Sequence, residues 1–176
     1  MPYIYILPIK TDPAQWIEDL DDCAYKTFGY HLKIGKHNID LERTFNPARG
    51  QYNSSQILQQ IIANPPGDAV KILGVANVDL FIPILTFVFG EAQLRGIGSV
   101  ITLHRLNNIF YGLAEDNELL RERLVKEAIH ELGHNFGLVH CNDQSCVMRS
   151  STYVEGVDQK SLEMCAGCQE LLRGLL

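Results

Sequence analysis

The chain opens with an alternating, β-rich run, Tyr3-Ile4-Tyr5-Ile6-Leu7-Pro8-Ile9, whose period of two predicts a strand. Trp16, Ile17, Leu20 and Ala24 then recur at helical spacing. They predict a helix over 13–25, with Thr11 or Asp12 as its N-cap and Pro13 in its first turn. Gly29 ends that helix, and a short strand is predicted over 31–37. Residues 40–51 carry little periodic signal. Asn53 or Ser54 caps a second helix that runs through Ala63, where Pro65-Pro66-Gly67 stops it. Three strand-like runs follow, over 70–80, 84–91 and 97–104. After a loop at 107–111, a long helix is predicted over 117–136. This order fits a layered α/β (α+β) domain with a mixed sheet. Gly96-x-Gly98 is a poor phosphate loop, because a strand rather than a helix follows it.

The last helix carries residues that its apolar pattern does not explain. Leu120, Leu124, Val125, Ala128, Ile129, Leu132 and Phe136 fill one arc of about 180°. His130 and His134 fall on the opposite half, beside Arg123 and Glu127, so that face is expected to border solvent or a cleft. Residues four apart sit one turn apart on one face, so both rings can aim a nitrogen at one tetrahedral metal. Gly137 can take a left-handed conformation that ends the helix and turns the chain back. His140 then arrives as a third ligand, and three neutral imidazoles leave zinc one open position for water. Glu131 projects beside them as a general base that can accept the water's proton and pass it to a departing amine.

Composition narrows the setting. The 176 residues are 46% hydrophobic with a formal charge of −6, which excludes disorder and argues against a nucleic-acid surface. The longest apolar stretch, 80–89, is broken by Pro83 and Thr86 and is half of what a membrane helix needs. The first residues, Met1-Pro2-Tyr3, lack the basic region of a secretory signal, so a cytoplasmic location is expected. Cysteine usage agrees with a reducing compartment. Cys141 and Cys146, followed by Cys165-x-x-Cys168, have the spacing of a closed four-thiolate zinc site, with disulfides or an iron–sulfur cluster as alternatives. Such a site would staple the 39 residues past Gly137, too few for an independent core. One domain over 1–176 is expected, with an amino-terminal subdomain (1–137) and a small carboxy-terminal one (138–176). Cys23 is expected as a small buried hydrophobe.

His130-Glu131-x-x-His134-x-x-Gly137-x-x-His140 resembles the long zinc signature of the metzincin metallopeptidases. Its continuation, His140-Cys141, Cys146-x-Met148 and Cys165-x-x-Cys168, resembles the archaemetzincins specifically. The resemblance implies a metzincin-like twisted sheet, a zinc peptidase activity, and two zinc ions per chain, one catalytic and one structural. It implies that Met148 is the buried Met-turn methionine and that the run 84–91 is an antiparallel edge strand above the cleft. Tyr153 is a candidate for stabilising the oxyanion. The expected partner is a peptide or protein substrate, with no nucleic acid and no membrane, and a monomer is expected. Two other functions use the same residues: a zinc hydrolase of a small amide, and a weakly active or non-catalytic peptide-binding module.

Overall fold

A computed structural model describes residues 2–176. Strand β1 (Tyr3–Ile9) leads through a 3-10 turn at Pro13–Gln15 into α1 (Ile17–Phe28) and β2 (Leu32–Ile34). A second small sheet begins with β3 (Phe45–Asn46) and β4 (Gln51–Asn53), which precede α2 (Ser54–Ile62). Then come β5 (Ala69–Ala76), β6 (Leu80–Phe81), β7 (Gly90–Ala92) and β8 (Gly98–Thr102). The long α3 (Asn117–Phe136) follows, with α4 (Val154–Gln159) and α5 (Ala166–Arg173) closing the chain. The main sheet has the order β2-β1-β5-β8-β7, parallel except for β7, which runs antiparallel to β8 at the edge. The small sheet has the order β3-β4-β6. No helix among the described residues is long and apolar enough to cross a membrane.

Both faces of the main sheet are covered, which is why β1 is apolar at almost every position. Strand alternation sorts the side chains. Ile4 and Ile6 of β1, Leu73 and Val75 of β5, and Ile101 of β8 face α1 and α3. Tyr5, Leu7, Ile9, Ile72, Ala76 and Val100 face Ile57, Leu58 and Ile61 of α2. The α3 side of the core extends into the carboxy-terminal segment, where Val147, Met148, Met164 and Leu172 join the same cluster.

Several element boundaries differ from the pattern. The first helix begins as a 3-10 turn capped by Asp12, breaks at Trp16, and then runs on to Phe28 until Gly29 takes φ 77°. The 31–37 strand shrinks to Leu32–Ile34, and the run 97–104 to Gly98–Thr102. Within 107–111, Asn108–Tyr111 form a 3-10 turn. The 70–80 run is two strands, because Asn77 bonds back to the Ile9 carbonyl and Tyr52 captures that of Asp79 for the second sheet.

The expected edge strand over 84–91 is real only at Gly90–Ala92. Side chains from elsewhere claim the carbonyls ahead of it. Arg49 donates to Leu85 O at 2.9 Å and to Pro83 O at 3.3 Å, and Gln51 donates to Thr86 O at 3.0 Å. Cys23 also departs from expectation. It is half-buried at the margin of the core, since α1 ends its apolar stripe beside it.

The charged face of α3 meets expectation only in part: Glu127 and His130 border a cleft, but the face is not open to solvent. Arg123, Lys126, Glu127 and His130 are all buried, covered by the segment from Met148 to Lys160. Arg123 makes a two-pronged bond to Asp158 at 2.7 and 2.8 Å and donates to Leu106 O. Amphipathicity marked the face as polar, but burial was decided by partners some thirty residues away.

Asn135 ties α3 to the sheet on its other side. Its side-chain amide, fully buried, donates to Gln93 O at 3.0 Å and to Gly98 O at 2.8 Å. Asn135→Ala should therefore cost about 2 kcal/mol of stability. Urea unfolding checks this, and a midpoint equal to wild type would contradict the role given to the amide.

Candidate active site

Helix α3 is well capped at both ends. Asp116 accepts from Leu119 N–H at 2.9 Å, and Gly137 closes the helix at φ 113°, which a side chain would strain. Gly137 N–H bonds to the Gly133 and His134 carbonyls, and Leu138 N–H to that of Gly133. The reversal brings His140 back over the last two turns. Ring centres are 4.7 Å apart for His130 and His134, 5.2 Å for His130 and His140, and 4.8 Å for His134 and His140. One nitrogen from each ring lies within 4.8 Å of the others.

Hydrogen bonding fixes which nitrogens these are. His130 Nδ1 is 2.8 Å from Val147 O, and His134 Nδ1 is 2.8 Å from Leu138 O. A carbonyl only accepts, so both Nδ1 atoms carry the proton and both Nε2 atoms present lone pairs. Those two Nε2 atoms face each other at 3.1 Å. Two lone pairs with no proton between them repel, so a cation fits the gap. A tetrahedral zinc with bonds of about 2.1 Å sets its nitrogens about 3.4 Å apart. Burial lowers the proton affinity of all three histidines, most strongly that of His130, which keeps the rings neutral.

Glu131 lies on the cleft wall and is buried. Desolvation, with Glu127 and Glu91 nearby, holds its carboxyl well above the usual carboxylate range, and Lys160 opposes the shift. It fits there because Gly90 has no side chain. A β-carbon on Gly90 would lie 2.6 Å from Glu131 Oε1. The cleft of about 630 Å³ runs between two walls, Leu85 to Gly90 above and Ser150 to Tyr153 below, with Glu127, His130, Glu131 and His140 between them. Tyr153 stands on its rim, 68% exposed. Met148 is fully buried under α3, where a β-carbon on Gly133 would collide with its sulfur.

The four cysteines converge behind the histidines. Their sulfurs all lie within 4.8 Å of one another, and Cys141 Sγ is 3.7 Å from Cys165 Sγ. A tetrahedron with bonds of about 2.3 Å has edges of about 3.8 Å, so the set is sized for a metal–thiolate centre. Backbone N–H groups point at the sulfurs, Asp143 N–H at Cys141 (3.4 Å) and Cys165 N–H at Cys146 (3.3 Å). Such donors favour thiolates. Cys165 is shifted towards ionisation by the Cys168 N–H, whereas burial pushes the Cys146 and Cys168 thiols up.

With this geometry in hand, comparison with known proteins is decisive. The model of peptidase family M54 matches residues 40–174. The archaemetzincin of Methanocaldococcus jannaschii is 43% identical over 148 residues, covering 84% of this chain and 80% of its own. The chain belongs to the archaemetzincins. It is a zinc metallopeptidase, and peptides or proteins are its substrates. The crystal structure of the Methanopyrus kandleri archaemetzincin superposes with a TM-score of 0.84 at 33% identity, covering 98% of this chain and 95% of that one. A zinc-dependent peptidase from Methanocorpusculum labreanum gives a TM-score of 0.82 at 28% identity, with 96% and 99% covered. The metzincin-like mixed sheet expected from the motif is thus the fold of the family.

Three residues at the site escaped the sequence reading. Glu127 was noted only as a neighbour of the histidines, yet it lines the cleft. Lys160, fully buried, sits 2.8 Å from Glu127 Oε1 but off the line of a hydrogen bond, so the pair is chiefly electrostatic. Gly90 ends the run Phe87-Val88-Phe89-Gly90, which loosely resembles the archaemetzincins, but its role was not assigned and comes only from its closeness to Glu131. Gly90→Ala should push the Glu131 carboxylate aside and lower kcat/KM about 100-fold, with a melting temperature close to wild type. Peptide cleavage and calorimetry on the same preparation test this, and unchanged kinetics would show that Gly90 is merely small.

Proposed function

We propose that the chain cuts peptide bonds at a zinc ion bound by His130, His134 and His140, with Glu131 as the general base. The observation that carries this reading is the buried Glu131 carboxyl on the cleft wall, one residue from a ring whose lone pair faces that of His134. When bound, the zinc ion supplies a Lewis acid for the scissile carbonyl and lowers the pKa of a water.

The chain's own groups do the rest. Val147 O and Leu138 O orient the His130 and His134 rings through their Nδ1–H groups. Glu131, on the cleft wall beside His130, takes a proton from the attacking water and holds it while the C–N bond is still intact. Glu131 then gives that proton to the nitrogen, without which an amine is a poor leaving group. The walls Leu85 to Gly90 and Ser150 to Tyr153 border the cleft in which the substrate lies.

We further propose a second zinc on Cys141, Cys146, Cys165 and Cys168, which staples a small subdomain of 138–176 that follows one of 1–137. Sulfur spacing and the N–H groups aimed at the thiolates support it. Four reduced thiols suit the cytoplasm, where we place the enzyme.

Glu131→Ala should keep the metal and lower kcat by about 10³, read by cleavage of a defined peptide mixture. Equal rates for variant and wild type would remove Glu131 from the mechanism. Elemental analysis of protein purified under reducing conditions should give two zinc ions per chain. Cys168→Ser should reduce this to one and cost about 3 kcal/mol, which is about 10 °C in Tm. Unchanged zinc content and melting would refute the four-thiolate centre.

A further inference from the structure

The upper wall of the cleft continues outward beyond Phe87. The Arg105 guanidinium carbon lies 4.2 Å from the centre of the Phe87 ring and 4.6 Å from that of Phe110. Phe110 in turn meets Tyr111 edge-on at 5.0 Å. Asp79 grips the guanidinium edge, accepting from Nε at 2.6 Å and from Nη2 at 2.8 Å. The Tyr111 hydroxyl donates to Arg105 O at 2.8 Å. The stack is therefore rigid and its cation is already answered, so what it offers outward is apolar rather than charged.

Its outer face is uncovered. Phe110 and Tyr111 are each 41% exposed, and the flanking Ile109 and Leu113 are 57% and 61% exposed. Four large apolar side chains within five consecutive positions form a patch of the kind that marks a binding surface, unlike scattered single residues. Phe87 belongs both to this stack and to the cleft, so the two surfaces are continuous. Phe87 and Phe110 lie on the same guanidinium and are at most about 9 Å apart, the reach of roughly three extended residues.

We propose that Phe110, with Ile109, Tyr111 and Leu113, forms a distal subsite that takes an aromatic or bulky aliphatic side chain of a peptide already threaded through the cleft. This rests on the peptidase reading above and adds a substrate preference to it. The substrate is then an extended peptide with an apolar residue some three positions beyond the one at Phe87, and dipeptides are poor substrates. Because Asp79 occupies the Arg105 edge, a substrate carboxylate is not the group recognised here.

The test starts from a sequence that wild type cleaves in a defined peptide mixture. Matched peptides keep the residues around the scissile bond and carry Ala or Trp at successive positions outward on each side. Trp at one outward position should lower KM about tenfold relative to Ala, with kcat unchanged. The double variant Phe110→Ser/Leu113→Ser should lose that preference, giving the Trp and Ala peptides the same KM. A wild type indifferent to Trp at every position overturns the proposal. So does a double variant that keeps the preference. A wild-type dimer by light scattering that the double variant abolishes also overturns it, since a second copy would then be the occupant. Anisotropy titration of the labelled peptides onto Glu131→Ala separates the two readings. Should wild type cleave nothing in the mixture, the same titration on a matched Ala and Trp series decides: a Trp preference in binding retains the subsite and removes the peptidase mechanism, and no preference overturns the subsite.

Discussion

Helix α3 is gripped from two sides by unlike forces, and the position of the histidines depends on both. Its apolar half sits on β5 and β8 through Leu124, Ala128 and Leu132. Its charged half is covered by the chain after Met148 through Arg123–Asp158 and Glu127–Lys160. Hydrophobic contact is non-directional and would tolerate a small roll of the helix. The two-pronged Arg123–Asp158 bond would not, because it fixes both the angle and the register of the covering segment. Since that segment follows directly on Val147, whose carbonyl is the partner of His130, a slip in the clamp would reach the His130 ring directly.

These buried charges are not there to make the protein more stable. Desolvating Glu127 and Lys160 costs several kcal/mol per ion before their attraction returns it, and a well-packed apolar pair would do as well. Their effect is on the site. Lys160 also reaches Arg149 O at 3.3 Å, so one ammonium joins the helix to the lower wall of the cleft. The same charge limits how far burial raises the Glu131 carboxyl, against the push from Glu127 and Glu91. Clamp and electrostatic environment are one construction.

Local information was readable from the sequence, and remote information was not. The first strand, the Asn53 cap and the Gly137 stop each depend on neighbours within a few positions, and each appears in the fold. The histidine spacing is legible for the same reason, since one helix turn brings His130 and His134 together. The cysteine cluster was legible because two short-spaced pairs have few other uses. The upper wall was misread because Arg49 and Gln51 capture carbonyls more than thirty positions away that a strand would have used. Helices α4 and α5 are too short for a periodic signal. Lys160 had no signature at all, as nothing in the text around it distinguishes a buried lysine from a solvated one.

The junction of His140 and Cys141 shows why two metal-sized clusters sit so close in the chain. After the Gly137 turn the backbone has left the helix, and no secondary structure holds His140, which is exposed. Two constraints act one residue later: Cys141 N–H bonds to Met148 O at 3.0 Å, and its sulfur lies against Cys165. Met148 is itself wedged beneath Gly133 of α3, so the anchor of Cys141 refers back to the helix that bears the other two rings. The loop is short and its ends are fixed, which leaves the third imidazole few positions other than the observed one. A third histidine on a free loop would lose most of its binding strength to ordering entropy. Anchoring the following residue removes that cost in advance, so under the proposed metal binding the cysteine cluster helps to position His140 although no thiol faces the cleft.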